Sequence, residues 1–143
     1  MKIRVEQLNP TVGDLEANTT KILESLEKAE SDGIGLLILP EMVLVGYPAQ
    51  DILENKAFQR SVFEQNEKII DSTKNTALLF GSITKNESVG RQMYNTALLA
   101  RGGELLGKVH KTLLPTYDVF DDLRYFEPND TFKCLELMAP NWE

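Results

Sequence analysis

With one cysteine and one histidine in 143 residues, the chain has too few ligands for a disulfide framework or a Cys/His zinc cage. A membrane helix is missing as well. The longest apolar stretch, Ile34 to Pro40 with Gly35 inside it, is far short of the ~20 residues a bilayer requires. The opening Met1-Lys2-Ile3-Arg4-Val5-Glu6 lacks the apolar centre of a signal peptide. Cations are also in short supply: fifteen Lys and Arg face twenty-two Asp and Glu, and the net charge of −7 repels nucleic-acid phosphate. These absences lead to an expectation of a cytoplasmic protein that engages no nucleic acid and no membrane. In that compartment the Asn-x-Ser/Thr matches at Asn18, Asn86 and Asn129 carry no meaning.

What is present is ordinary for a globular domain, with 42% hydrophobic and 26% charged residues. Lys2 to Leu8 puts Ile3 and Val5 on one face and reads as a first strand. Asp14 is a helix N-cap, and Leu15, Thr19, Ile22, Leu26 and Ala29 recur at helical spacing until Ser31-Asp32-Gly33, where Gly33 suits the left-handed cap. Leu36-Leu37-Ile38-Leu39 is an uninterrupted apolar run, which predicts a strand covered on both faces. Pro40 ends it, leaving Glu41 at its carboxyl end, the edge where open α/β sheets bind ligands. A second helix is predicted over Ala57 to Thr73 through Phe58, Val62, Gln65 and Ile69. A third strand follows at Ala77 to Ser82. Met93 to Ala100 and Leu105 to His110 flank Arg101-Gly102-Gly103-Glu104 as a hairpin, so the sheet is mixed. Thr112 to Asn129 reads as an ordered loop, and Thr131 to Leu137 as a last strand.

Several residues could carry chemistry. Gly102, four residues, then Gly107-Lys108 formally matches a phosphate loop, but Val109 stands where a metal-binding hydroxyl is needed and the segment reads as a hairpin. Cys134 in Phe132-Lys133-Cys134-Leu135 reads as a buried structural thiol rather than a nucleophile paired with His110. Glutamates are mostly solvated surface groups. Glu41, after Leu-Ile-Leu-Pro at a strand end, is instead placed for partial desolvation, which raises a carboxyl pKa and suits a general base. Lys111 closes another strand and opens the loop, so the two opposite charges suggest one cleft. The loop from Lys111 to Pro128, dense in aromatics, acids and prolines, reads as a binding or lid segment.

Leu39-Pro40-Glu41-Met42, Gly46-Tyr47-Pro48 and His110-Lys111-Thr112-Leu113-Leu114-Pro115 resemble the carbon–nitrogen hydrolase (nitrilase) superfamily. Gln7 to Asp14, and the loop Tyr117-Asp118-Val119-Phe120-Asp121-Asp122 with Arg124-Tyr125-Phe126-Glu127-Pro128, narrow the resemblance to the N-terminal glutaminase domain of glutamine-dependent NAD synthetases, over residues 1–137. The resemblance implies an α/β fold, the nitrilase-like αββα sandwich with a mixed sheet and flanking helices, of which this chain would hold the N-terminal portion. It also implies a Glu-Lys-Cys catalytic set. Glu41 is similar to the general base and Lys111 to the cation that stabilises the oxyanion. Tyr117 falls where the synthetases have a tyrosine lining the glutamine pocket, and Asp122 at a position that is often glutamate and assists the site.

The implied partners are glutamine, an NAD synthetase domain and further copies of the chain in a homo-oligomer. No cofactor is expected in this chain, since ATP and Mg would belong to the synthetase domain. The family's nucleophilic cysteine lies in a later Cys-Glu-Asp context absent here, and residues 138–143 depart from the pattern. The expectation is therefore a part-domain that ends before its nucleophile and is inactive alone. The other reading is a non-catalytic α/β binding or assembly module derived from the same superfamily. Half a sandwich would expose apolar sheet and self-associate.

Overall fold

The computed structural model describes residues 1–131 together with Cys134, Leu135 and Leu137. Five strands form one sheet in sequential order: β1 (Ile3–Val5), β2 (Leu36–Ile38), β3 (Ala77–Lys85), β4 (Met93–Arg101) and β5 (Glu104–His110). The first three are parallel, and β3, β4 and β5 are antiparallel neighbours, so the mixed sheet is present. Between the parallel strands run α1 (Leu15–Ser31) and α2 (Lys56–Asp71), the crossovers that parallel pairing requires.

Local sequence explains each helix end. The Asp14 carboxylate accepts from the Ala17 N–H, and the stripe Leu15, Thr19, Ile22, Leu26 and Ala29 is buried. Gly33 takes φ +64° just past the end, the left-handed conformation that costs glycine no Cβ clash. In α2 the cap is Asn55, which accepts from the N–H groups of Ala57 and Phe58. Its buried face holds Val62, Ile69 and Ile70, as the periodicity predicts, but also Gln59 and Asn66. Those amides are tolerated inside because they donate to the carbonyls of Leu53 (2.6 Å) and Ile83 (3.0 Å). The hairpin turns at Gly102 and Gly103, both at positive φ, as a two-residue primed turn demands. That turn and β5 absorb the formal phosphate-loop match.

Both helices lie on one side of the sheet, where Leu37, Leu78, Phe80, Leu98 and Ala100 join Ile22, Leu26, Val62 and Ile69 in the core. On the opposite side the alternation places Ile3, Val5, Leu36, Ile38, Leu79, Ala97 and Val109. Val5 is 67% exposed, and Leu36, Ile38, Leu79, Ala97 and Val109 are half-buried. This corrects the expectation that β2 is covered on both faces: among the described residues only Leu37 of that strand is buried. The described layers are therefore one helical layer and one sheet of the αββα arrangement.

The chain between β2 and α2 contains two features the sequence reading passed over. Met42 to Val45 form a buried turn, and Gln50–Glu54 a 3₁₀ helix. The loop after β5 is ordered by main-chain bonds from Glu127 N to Met93 O (2.8 Å) and from Asn129 N to Lys111 O (3.0 Å), and it contains the short helix α3 (Asp122–Tyr125). The strand expected over 131–137 falls partly on Phe132, Lys133 and Glu136, which lie outside the described residues, as do 138–143; Thr131, Cys134, Leu135 and Leu137 are in no strand. Cys134 is exposed, which corrects its reading as a buried hydrophobe. No helix of the described residues is long and apolar enough to cross a membrane.

Candidate active site

Glu41 stands three residues past the end of β2 and is carried over β3 by a turn seated on Gly81. Gly81 N donates to Pro40 O (3.2 Å), and Leu44 N donates to Gly81 O (3.4 Å). The approach is so close that a Cβ on Gly81 would stand 2.4 Å from Met42 N and 2.6 Å from Glu41 Cα. A glycine inside a strand commonly marks such an approach of another backbone. Met42 takes φ +54°, a strained choice for a side chain of its size, and its own side chain is buried.

Lys111 arrives from an edge of the sheet, one residue past β5. Its N–H donates to Asn95 O (2.8 Å), which continues the β4–β5 ladder past its last pair. Its ammonium donates to Glu41 Oε1 (2.7 Å) and to Asp122 Oδ2 (3.0 Å). Asp122 opens α3, has its N–H on Pro115 O (3.1 Å), and is 4% exposed. Its second oxygen accepts from the Tyr47 hydroxyl at 2.9 Å. On β4, Asn95 donates from Nδ2 to Glu41 Oε1 at 2.7 Å. The result is a chain of polar groups in the order Asn95, Glu41, Lys111, Asp122, Tyr47.

The electrostatics follow from this order. Burial by itself would lower the Lys111 pKa, but the hydrogen bonds it donates to Glu41 and Asp122 outweigh it and hold the value above that of an ordinary lysine. Desolvation raises the Tyr47 pKa, and its hydrogen bond to the Asp122 carboxylate raises it further. The Glu41 side chain keeps 52% of its exposure, more than the partial desolvation expected from its place in the sequence. Its setting is defined by the two donors on Oε1 rather than by burial.

Glu41, Asn95 and Lys111 edge a depression of about 300 Å³ floored by Leu39, Leu79, Ala97 and Val109, within the size range of small-molecule sites. Asp122 and Tyr47 line a smaller cavity of about 230 Å³ with Val119, Asp121 and Arg124. The Lys111–Asp122 pair joins a residue of each lining. A carboxylate and an ammonium at the rim of an apolar hollow can accept a proton and offset a developing negative charge.

Of the residues expected from sequence, the structure brings Glu41, Lys111 and Asp122 together and leaves Tyr117 apart. Tyr117 is 69% exposed and meets Phe120 edge-on at 5.5 Å. His110 stacks on Tyr94 at 4.0 Å, and its Nδ1 lies 2.8 Å from Thr96 Oγ1, so local packing orients it. Cys134 makes no hydrogen bond to Glu41 or Lys111. Among the described residues, no group of three His, Cys, Asp or Glu side chains is gathered to hold a metal. Sequence reasoning missed Asn95, Gly81 and the hydroxyl of Tyr47. A glycine and an asparagine inside strands were the available signals for the first two.

Known proteins resemble this chain in sequence and in fold. The family model described as carbon-nitrogen hydrolase matches residues 2–137. A glutamine-dependent NAD(+) synthetase of Thermotoga maritima is 39% identical over 139 residues, covering 96% of this chain and 23% of that protein. Among solved structures, the glutamine-dependent NAD+ synthetase of Acinetobacter baumannii in complex with ADP superposes with a TM-score of 0.82 at 29% identity, covering 95% of this chain and 25% of that one. An amidase from Nesterenkonia sp. AN1, a double mutant in complex with acrylamide, shares the fold, with a TM-score of 0.73 at 23% identity over 92% of this chain and 49% of its own. The chain spans about a quarter of the length of the synthetases it matches.

Proposed function

This chain belongs to the carbon–nitrogen hydrolase family, and from that premise we propose that it forms the first part of the glutaminase portion of a glutamine-dependent NAD synthetase. The observation that carries this reading is the Glu41–Lys111–Asp122 cluster at the rim of the apolar depression, in a chain whose relatives are such synthetases.

In the proposed reaction a thiol from outside the described residues gives its proton to Glu41, and the thiolate attacks the side-chain amide carbon of glutamine. Lys111 offsets the charge on the tetrahedral oxygen. The C–N bond breaks as Glu41 returns the proton to the departing nitrogen, which leaves as ammonia. Water then adds to the thioester, giving glutamate and the free thiol. Asp122 holds the Lys111 ammonium at the rim, and Tyr117, on the loop after β5, is the residue that would line the glutamine pocket. Ammonia passes to a synthetase domain, where ATP and Mg do their work; further copies of the chain, a homo-oligomer in the cytoplasm, complete the proposed setting.

The test is a chimera that joins residues 1–137 to the remainder of the Thermotoga maritima synthetase. It should release ammonia from glutamine and lose that activity in Glu41→Gln and Lys111→Met. The 143-residue chain alone should release none above the blank. Ammonia release from that chain, abolished by Cys134→Ser, would overturn the assignment of the nucleophile; an inert, well-folded chimera would overturn the function.

A further inference from the structure

We infer that Asn95 is a positioning residue that commits one carboxylate oxygen of Glu41 to the lysine pair and leaves the other oxygen to carry the proton. This rests on the reading of Glu41 as a base.

Among the described residues, Asn95 is the one that grips both members of the pair. Its side-chain Nδ2 donates to Glu41 Oε1 (2.7 Å), while its main-chain oxygen accepts from Lys111 N (2.8 Å). It is 4% exposed on β4 and paired with Ile83 of β3. It therefore stands on a rigid central strand, while Glu41 stands on a turn and Lys111 on a strand end. The strand alternation turns it to the same face as Gly81 and Ala97, the side over which the Glu41 turn passes. Against a carboxylate only the NH₂ end of the amide can donate, so the side chain has one useful orientation.

Lys111 Nζ reaches the same oxygen, Oε1, at 2.7 Å. Two donors on Oε1 hold its lone pairs, and a proton placed there would displace one of them. Oε2 receives no donor from the described residues, so it is the oxygen free to accept a proton. Without Asn95, Lys111 would be the only donor on the carboxylate among the described residues, and the half-exposed side chain could rotate its oxygens past that single contact. A fixed acceptor oxygen is what proton transfer needs, since misplacement by about 1 Å can cost ~100-fold in rate.

The experiment uses the 143-residue chain and nuclear magnetic resonance, so it requires no turnover. In the unsubstituted chain, one Asn95 side-chain amide proton should resonate downfield of free amides and exchange slowly, and this should be lost in Glu41→Ala. The Lys111 Cε titration midpoint should fall in Asn95→Ala toward its value in Glu41→Ala, because the carboxylate is no longer held against the ammonium. Asn95→Asp, which keeps the shape but replaces the donor with a carboxylate, should also lose the Glu41 contact. A free-amide signal for Asn95 in the unsubstituted chain overturns the inference even if Asn95→Ala fails to fold. So does an unchanged Lys111 midpoint in a folded Asn95→Ala. Failure of the chimera to hydrolyse glutamine would defeat the functional reading and leave these spectra as they are.

Discussion

Replacing Gly81 with alanine adds one methyl group to the seat under Glu41. The new Cβ would stand 2.4 Å from Met42 N and 2.6 Å from Glu41 Cα, where an ordinary contact is about 3.5 Å, so the turn must lift by roughly 1 Å. Neither neighbour is the end of a flexible side chain. Both are backbone, in a turn that is tied to Gly81 on either side of them, through Pro40 O (3.2 Å) and Leu44 N (3.4 Å). Overpacking costs about 1–3 kcal/mol, and weakening those bonds adds about 1 kcal/mol each. A total near 4 kcal/mol corresponds to a fall in Tm of roughly 12 °C for a domain of this size. Gly33→Ala is the control: its Cβ meets nothing within 4 Å, but its φ is +64°, so only the conformational cost of about 1 kcal/mol, near 3 °C, applies. Thermal melts followed by circular dichroism compare the two. Equal melting of Gly81→Ala and Gly33→Ala, with the Lys111 titration unmoved, would refute the view that Gly81 seats the Glu41 turn.

Three further outcomes follow from the same geometry. Lys111→Met should destabilise by about 1–3 kcal/mol, because it leaves the buried Asp122 with Tyr47 as its only described side-chain partner; adding Asp122→Asn should recover part of the loss, and full additivity in chemical denaturation would count against the pair. The pKa values of both Lys111 and Tyr47 are raised on folding. The stability they contribute is therefore complete below about pH 10 and is lost as pH climbs through the folded values, so Tm should drop steeply above pH 10 and less steeply in Tyr47→Phe. The uncovered sheet face around Ile3 and Val5 should drive self-association of the chain; Val5→Lys should shift sedimentation toward monomer, and identical profiles would place the contact elsewhere.

How far the sequence could be read depended on whether a structural cause was local or distant. Helix α1 was legible to its caps because Asp14, the stripe from Leu15 to Ala29 and Gly33 act within a few residues of one another. The β4–β5 hairpin was legible for the same reason. β2 was misread because an apolar run reports what a strand can bury and not what covers it. The charges Glu41 and Lys111 were visible as strand ends next to family motifs. Their supports were not: Asn95 contacts Glu41 across 54 positions and Tyr47 contacts Asp122 across 75, pairings that only the sheet order creates. For Cys134, the burial preference of its residue type was applied to a segment whose described residues lie in no strand.

The ion pair between Glu41 and Lys111 spans 70 residues, and that span sets when the site can form during folding. The β4–β5 hairpin closes locally through a two-residue turn and can form in microseconds. Glu41 meets Lys111 only after that hairpin has zipped onto β3 and β3 has docked beside β2, with the loop-closure entropy of each step already spent. During synthesis the carboxylate is made first and waits for its cation until the hairpin emerges. The polar cluster is thus expected to assemble late, and its order reports that β2 to β5 are in place.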